Sequence, residues 1–271
     1  MNDPLAVIYN EGYWRVNVVS PMFDLQYNII KLKQYSTKIR QALVSRVVDS
    51  SDLMVSIENL PLLKYSNEDP SALKITVKNK VTEVYVAIFL SWGNGITIDN
   101  ATTHLPYMLE RGGRRIVNMA VKNTVQALFD CIILPINFTQ GHLLDFMFNF
   151  IENDNSRSTN QFVLTYRTPQ VNFKDNITIS FEIGDIREIW NRVKESNHDQ
   201  SRRPFVAYQM ILNQICYMYT LEVTLLQLYE VALPTAVVKN SSNMVKMKTP
   251  EIVNSVFTIL NEITRERFQI E

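Results

Sequence analysis

The run Leu73-Lys74-Ile75-Thr76-Val77-Lys78-Asn79-Lys80-Val81-Thr82, followed at once by Val84 to Ser91 (VYVAIFLS), decides the fold class. Successive side chains of a strand point to opposite faces, so the first segment places Leu73, Ile75, Val77 and Val81 on one side. Lys74, Lys78 and Lys80 take the other side with Thr76 and Thr82. The second segment is apolar and short, and the two together predict an antiparallel hairpin. Gly93 and Gly95, in WGNGITID, then turn the chain.

Working outward, Tyr13 to Val19 (YWRVNVV) and Leu53 to Leu60 also read as strands, and between them the period turns helical. From Tyr27 to Val47, Leu32, Tyr35, Ile39 and Leu43 stack on one helical face. Downstream, Gly112 and Gly113 open a helix over about Arg114 to Asp130, and Pro135 separates it from a second helix with Thr139 as N-cap. The body of that second helix, HLLDFMFNFI, is apolar nearly all round, which predicts a central buried helix.

Strands are expected at Gln161 to Arg167 and Asn176 to Ile183, around a turn containing Pro169. Asp185 with Glu188 reads as a capping box opening a helix that carries Ile189 and Trp190, and another helix follows Pro204. Tyr219 to Leu225 (YTLEVTL) alternates as a strand, with Leu221, Val223 and Leu225 on one face. Ala236 to Lys239 and Met244 to Lys248 flank NSSN as a hairpin, and Thr249 and Pro250 start a final helix. Phe268 and Ile270 alternate in a closing strand. The expected class is α+β: curved, mainly antiparallel sheets with interspersed helices and one central buried helix. The polar stretch Glu152 to Gln161 suggests a division into an N-terminal α+β subdomain, 1–155, and a C-terminal one, 156–271, packed as one unit.

The 271 residues carry 27 basic and 27 acidic side chains, which excludes a polycation and a disordered acidic chain. The N-terminal segment lacks the basic and apolar regions of a signal peptide, and no apolar run approaches the roughly 18 residues of a membrane span. Cys131 and Cys216 suggest neither a disulfide framework nor a zinc site, so a reduced intracellular setting without membrane association is expected. Only 7 glycines are present, none spaced as a phosphate loop, and His104, His142 and His198 share no metal-ligand spacing. Neither a cofactor nor a metal is expected. An enzyme would have to gather Cys131, His142 and Asp145 around an apolar pocket, an alternative that stays open beside a purely structural role.

Zero net charge conceals three acid-poor basic segments. Lys31, Lys33, Lys38, Arg40 and Arg46 occur between Asp24 and Asp49. At 100° per residue, Lys31 and Lys38 border the apolar stripe on one side, and Lys33 and Arg40 border it on the other. Arg111, Arg114, Arg115 and Lys122 occupy a second such stretch, and Lys74, Lys78 and Lys80 a third. Several cations on one surface suit a phosphate backbone, because each neutralised phosphate releases condensed counterions. The expectation is that Lys31, Lys38, Lys74, Lys78 and Arg115 gather on one face.

Five landmarks in this order resemble the centromere protein L family, a subunit of the inner kinetochore. They begin with Pro21-x-Phe23, then Tyr27, Leu32, Tyr35 and Ser36. Leu105-Pro106 follows, ahead of a helix ending Leu128-Phe129-Asp130-Cys131; then come Pro135 and the apolar helix Leu143 to Ile151. Ile189-Trp190 and the closing Phe268-Gln269-Ile270-Glu271 complete the set. The resemblance implies a non-enzymatic nuclear protein of the centromere. It implies pairing with a centromere protein N-like subunit through C-terminal sheet regions, beside other inner-kinetochore subunits and centromeric DNA in chromatin. It also implies possible self-association through C-terminal strands. Leu221, Val223, Leu225, Phe268 and Ile270 are the interface residues this suggests. A homodimeric adaptor is the remaining alternative.

Overall fold

Alternation over residues 73–91 does produce a hairpin, embedded in a larger antiparallel arrangement. The computed structural model describes residues 3–46, 52–80, 82–93, 101–168, 176–196, 199–240 and 243–268. In chain order the elements are α1 (Ala6–Tyr9), β1 (Tyr13–Val19), β2 (Met22–Phe23), α2 (Ile29–Arg46), β3 (Leu53–Leu60), β4 (Ala72–Asn79) and β5 (Thr82–Leu90). The middle holds β6 (Thr102–Thr103), β7 (Tyr107–Gly112), α3 (Arg115–Phe129), β8 (Ile133–Pro135) and α4 (Gln140–Asn153). The last part holds β9 (Gln161–Arg167), β10 (Asn176–Glu182), α5 (Ile183–Glu195), α6 (Arg203–Tyr219), β11 (Gln227–Ala232), β12 (Ala236–Lys239), β13 (Met244–Met247) and α7 (Pro250–Phe268). Helices and mainly antiparallel strands make this an α+β protein, as the alternation of periods predicted. Gly95 and Pro169 lie outside the described residues.

Two compact units share the chain: residues 14–136, and residues 1–13 with 137–271. The polar stretch Glu152 to Gln161 lies inside the second, running from the last residues of α4 to the first of β9.

In the first unit the strand order is β1-β7-β5-β4-β3, with β8 paired to β1 and a short β2-β6 ribbon apart. Leu73, Ile75, Val77, Tyr85, Ala87 and Phe89 alternate onto one face, where Tyr35, Ile39 and Leu43 of α2 meet Val117, Val121, Val125 and Phe129 of α3 in a single core. Tyr35 and Phe129 pack edge to face, 4.9 Å between centroids. Asn28 caps α2, its Oδ1 accepting from the Lys31 N–H at 2.8 Å. Strand β7 then has to turn sharply into α3, and Gly112 and Gly113 make the turn at φ +70 and +74. A Cβ on Gly112 would stand 2.5 Å from the Val84 carbonyl oxygen, so no side chain fits there. The β7 strand was not legible in advance, because residues 107–112 lack a two-residue alternation of polarity.

In the second unit the order is β10-β9-β11-β12-β13. Phe162, Leu164 and Tyr166 of β9 and Ile179 and Phe181 of β10 point inward at every second residue. Helix α4 is central, as predicted: Leu143, Leu144, Phe146, Met147, Phe148, Phe150 and Ile151 are all buried, and the helix touches α5, α6, α7, β11 and β12. Phe148 stacks on Trp190 at 4.4 Å. Thr139 caps α4 as expected, and His142 completes the box by accepting from the Thr139 N–H at 3.1 Å through Nδ1.

Three local expectations fail for identifiable reasons. Tyr219 to Leu225 is not a strand: α6 runs to Tyr219, Thr220 stops it at φ +51, and a turn follows that buries Val223 and exposes Leu225. The strand begins two residues later, at Gln227. Asp185 does not cap α5, because β10 runs straight into the helix and the first N–H groups donate to backbone instead. Ile183 N–H bonds the Asn160 carbonyl at 2.8 Å and Gly184 N–H the Ser158 carbonyl at 2.9 Å, so backbone serves these first donors and Asp185 lies inside the first turn, past the N-cap position. At the closing strand expected over Phe268 to Ile270, Phe268 belongs to α7 instead, and residues 269–271 lie outside the described residues.

Candidate functional site

Helix α2 presents its cations on both flanks of the buried stripe. Lys33, Lys38 and Arg40 are exposed and Lys31 is half-buried, and none of the four forms an ion pair among the described residues. The flank of Lys31 and Lys38 is the one next to Tyr35, which meets α3; the flank of Lys33 faces β3 across a groove. Arg114 and Arg115 are exposed at the start of α3. Arg114 occupies the N-cap position without a side-chain hydrogen bond, and the first turn carries no acid. A helix start with free N–H groups, a positive dipole end and two guanidinium groups favours an anion. Arg115 stands a helix length, roughly 20 Å, from Phe129 at the far end.

The five-residue gathering expected from the sequence does not form. Lys74 and Lys78 alternate with Leu73, Ile75 and Val77, whose side chains face α2 and α3, so both lysines sit on the opposite face of the sheet from the helices. Their acids come from neighbouring strands. Lys74 lies across from Glu58 in the β3–β4 register, and Lys78 is 3.8 Å from Glu83, which also holds Arg111 at 2.9 Å. Lys80 turns the hairpin at φ +53 and pairs with Asp52 at 3.2 Å.

Lys122 points inward. Its ammonium donates to Glu110 Oε1 at 2.7 Å and to Asn17 Oδ1 at 2.9 Å, while the Tyr85 hydroxyl donates to Glu110 Oε2 at 3.0 Å. Glu110 is 3% exposed and both its carboxylate oxygens accept, so this is a largely internal ion pair. Burial and the adjacent carboxylate push the Tyr85 hydroxyl well above its ordinary range. The second unit has a counterpart: Asp154 accepts from Arg187 Nη2 at 2.7 Å and from the Thr235 and Ser156 hydroxyls.

Cys131 and His142 have local structural duties. The thiol is buried in the first unit's core, and burial pushes its pKa up to about 11, opposite to what a nucleophilic thiolate needs. The His142 imidazole is engaged in its helix cap. Among the described residues no cluster of His, Cys, Asp or Glu could hold a metal, and no helix is long and apolar enough to cross a membrane.

The second unit exposes large apolar side chains at and after the end of α6, only some of which the sequence pointed to. Leu225 is 76% exposed and Tyr217 89%, with Met218 and Tyr219 half-exposed beside them in sequence; of the other predicted interface residues Leu221 is half-buried and Val223 buried. Tyr217 and Tyr219 were missed because Tyr219 reads as the start of a strand to Leu225, whereas α6 runs through Tyr219. Among the described residues β10 pairs with β9 alone, so an open sheet edge lies in this unit, displaced from residues 221–225 where it was expected.

The profile of the family described as centromere protein L matches residues 8–267 of the chain. No curated protein matches it.

Proposed function

The chain belongs to the centromere protein L family and is a centromere and kinetochore protein, and from that premise we propose that it is a scaffold subunit with one DNA-facing unit and one partner-binding unit. The partner is a centromere protein N-like subunit, bound through the second unit. The observation that carries this is the exposure of Tyr217, Tyr219 and Leu225 around the end of α6, because tyrosines and apolar side chains left in water supply the anchoring contacts of protein interfaces. The open edge of β10 offers backbone pairing to the same partner. Other inner-kinetochore subunits assemble around the pair.

In the first unit, Lys31, Lys38, Arg114 and Arg115 make the DNA-backbone contacts. Lys122 takes no part, since its charge is committed internally, and Lys74 and Lys78 lie on the other face of the sheet. Because these contacts go to phosphates alone, binding is salt-dependent and blind to base sequence.

Co-expression with a centromere protein N homologue tests the partner reading. A stable 1:1 complex by light scattering is expected, lost in the double variant Tyr217→Ala, Leu225→Ser. A homodimer that persists with the partner present would instead favour self-association through β10, and two independent monomers would sink the reading. For DNA, Arg114→Glu with Arg115→Glu should lower affinity for a duplex and reduce the slope of log K against log salt by about 2.

A further inference from the structure

We propose that the groove between α2 and β3 receives an extended acidic segment of another protein, which adds to the first unit's sheet as a strand alongside β3. Strand β3 runs for eight residues and pairs with β4 on one side; its other edge meets no strand among the described residues. Sheet edges are ordinarily protected by prolines, bulges, short length or inward charges. Here the register from Leu53↔Asn79 to Leu60↔Ala72 is unbroken, the strand contains no proline, and its single charge, Glu58, lies on the face away from α2, opposite Lys74. The edge is therefore fit to pair.

What stands beside it tells the kind of segment it would take. The groove has a volume of about 290 Å³, and its apolar walls are Ile29 and Leu32 from the helix with Val55 and Ile57 from the strand. Ile29 is 72% exposed, an unusual position for an isoleucine at the start of a helix. Lys33 lines the same groove, and Arg40, seven residues on, continues its side of the helix. No acid occurs anywhere in α2, and the β3 residues facing the helix side are Leu53, Val55, Ile57 and Asn59. An entering strand would set every second side chain against the apolar walls, and acids flanking those positions would meet Lys33 and Arg40. The length also fits. Eight strand residues and eighteen helical residues both span roughly 27 Å, room for a segment of six to eight residues.

This role is separate from the partner site of the second unit and from the Lys31–Lys38 flank of α2. A random twelve-residue peptide library displayed on phage and panned against the full chain gives the probe. Enriched sequences should combine alternating apolar residues with Asp or Glu, and a labelled peptide made from them should protect the amides of residues 53–60 from hydrogen exchange. Ile29→Asp and Lys33→Glu, both at exposed positions, should each weaken that peptide at least tenfold without moving the melting temperature. Failure to enrich acidic sequences, binding indifferent to both variants, or binding without protection of 53–60 would each overturn the proposal. Loss of duplex-DNA affinity in Lys33→Glu, with peptide binding unchanged, would reassign this flank to DNA.

Discussion

Helices α2 and α4 both lie against antiparallel strands, and they use their surfaces in opposite ways. Helix α2 buries a single stripe, Tyr35, Ile39 and Leu43, and turns lysines and arginines outward on both flanks. Helix α4 buries seven of its fourteen residues and is packed by helices and strands on several sides. The difference teaches where each unit keeps its binding capacity. Around α4 the apolar side chains are consumed by the interior, so the second unit binds through what projects past its core, at Tyr217 and Leu225. On α2 the surface itself is free to recognise something.

The sharpest way to break that contrast is to truncate one residue on each helix. Phe148→Ala removes a ring that is 1% exposed and stacked on Trp190, and should cost about 3–5 kcal/mol. Val44→Ala on α2, at a side chain 52% exposed, should cost less than about 0.5 kcal/mol. Urea denaturation of the two variants reads both, and equal losses would mean that α2 is buried by something the contrast ignores.

The internal ion pairs give the next largest effect. Asp154→Ala strands the Arg187 guanidinium beside two carbonyl oxygens and should cost about 3 kcal/mol. Changing Arg187→Met as well should recover part of the loss, since the unpaired charge goes with it. In the first unit Glu110→Gln keeps the shape and the Tyr85 and Asn17 neighbours of Lys122, so about 1–2 kcal/mol is expected, again by urea midpoint.

These pairs also show what could be seen in the sequence. Strands β1, β3 and β9, the capped α4 and the buried character of HLLDFMFNFI were legible because periodicity and caps are local. The Lys122–Glu110 pair was not. The segment counted as acid-free began immediately after Glu110, and only the packing of α3 against β7 turns that boundary residue into the missing counter-ion. Lys78 and Glu83 show the same thing across strands, 3.8 Å apart. Acid-free stretches of chain are therefore poor evidence for acid-free surfaces, and the exceptions are α2 and the start of α3, where Lys33, Lys38, Arg40, Arg114 and Arg115 are exposed and in no ion pair among the described residues. Leu221 to Leu225 misled for a different reason. Alternation of period two also arises where a chain turns and sinks one residue, here Val223.

A smaller effect tests whether local polar ties hold the first unit's loops. Asp69 is largely buried; burial raises its pKa, but the N–H groups of Ser66, Gly93 and Tyr65 and the Ser91 hydroxyl outweigh this and hold the carboxyl below its usual range. A carboxylate depressed on folding stabilises fully above the unfolded pKa, near 4, and that stability is lost as pH falls through the lower folded value. Asp69→Asn should therefore cost about 1–2 kcal/mol at pH 7 and flatten the decline in stability below about pH 4, measured by urea midpoints across that range. An unchanged acid limb would mean that the tie contributes nothing.

The finest prediction separates the two flanks of α2 from one another. Lys31→Glu with Lys38→Glu changes the flank beside α3, and Lys33→Glu with Arg40→Glu the flank beside β3; each swaps two charges on one helix. Neither pair should move the melting temperature, because none of the four makes an ion pair among the described residues. If the helix simply attracts polyanions, both double variants lower duplex-DNA affinity alike, since the charge change is identical and the field of a small helix extends about a Debye length, roughly 10 Å at 0.1 M salt. If the flanks are specialised, titration at 0.2 M salt, where that length is shorter, shows the DNA defect in the first pair alone. The acidic peptide defect then appears in the second alone. Raising the salt is what gives the test its power, because it suppresses the field common to both flanks and leaves the direct contacts that distinguish them.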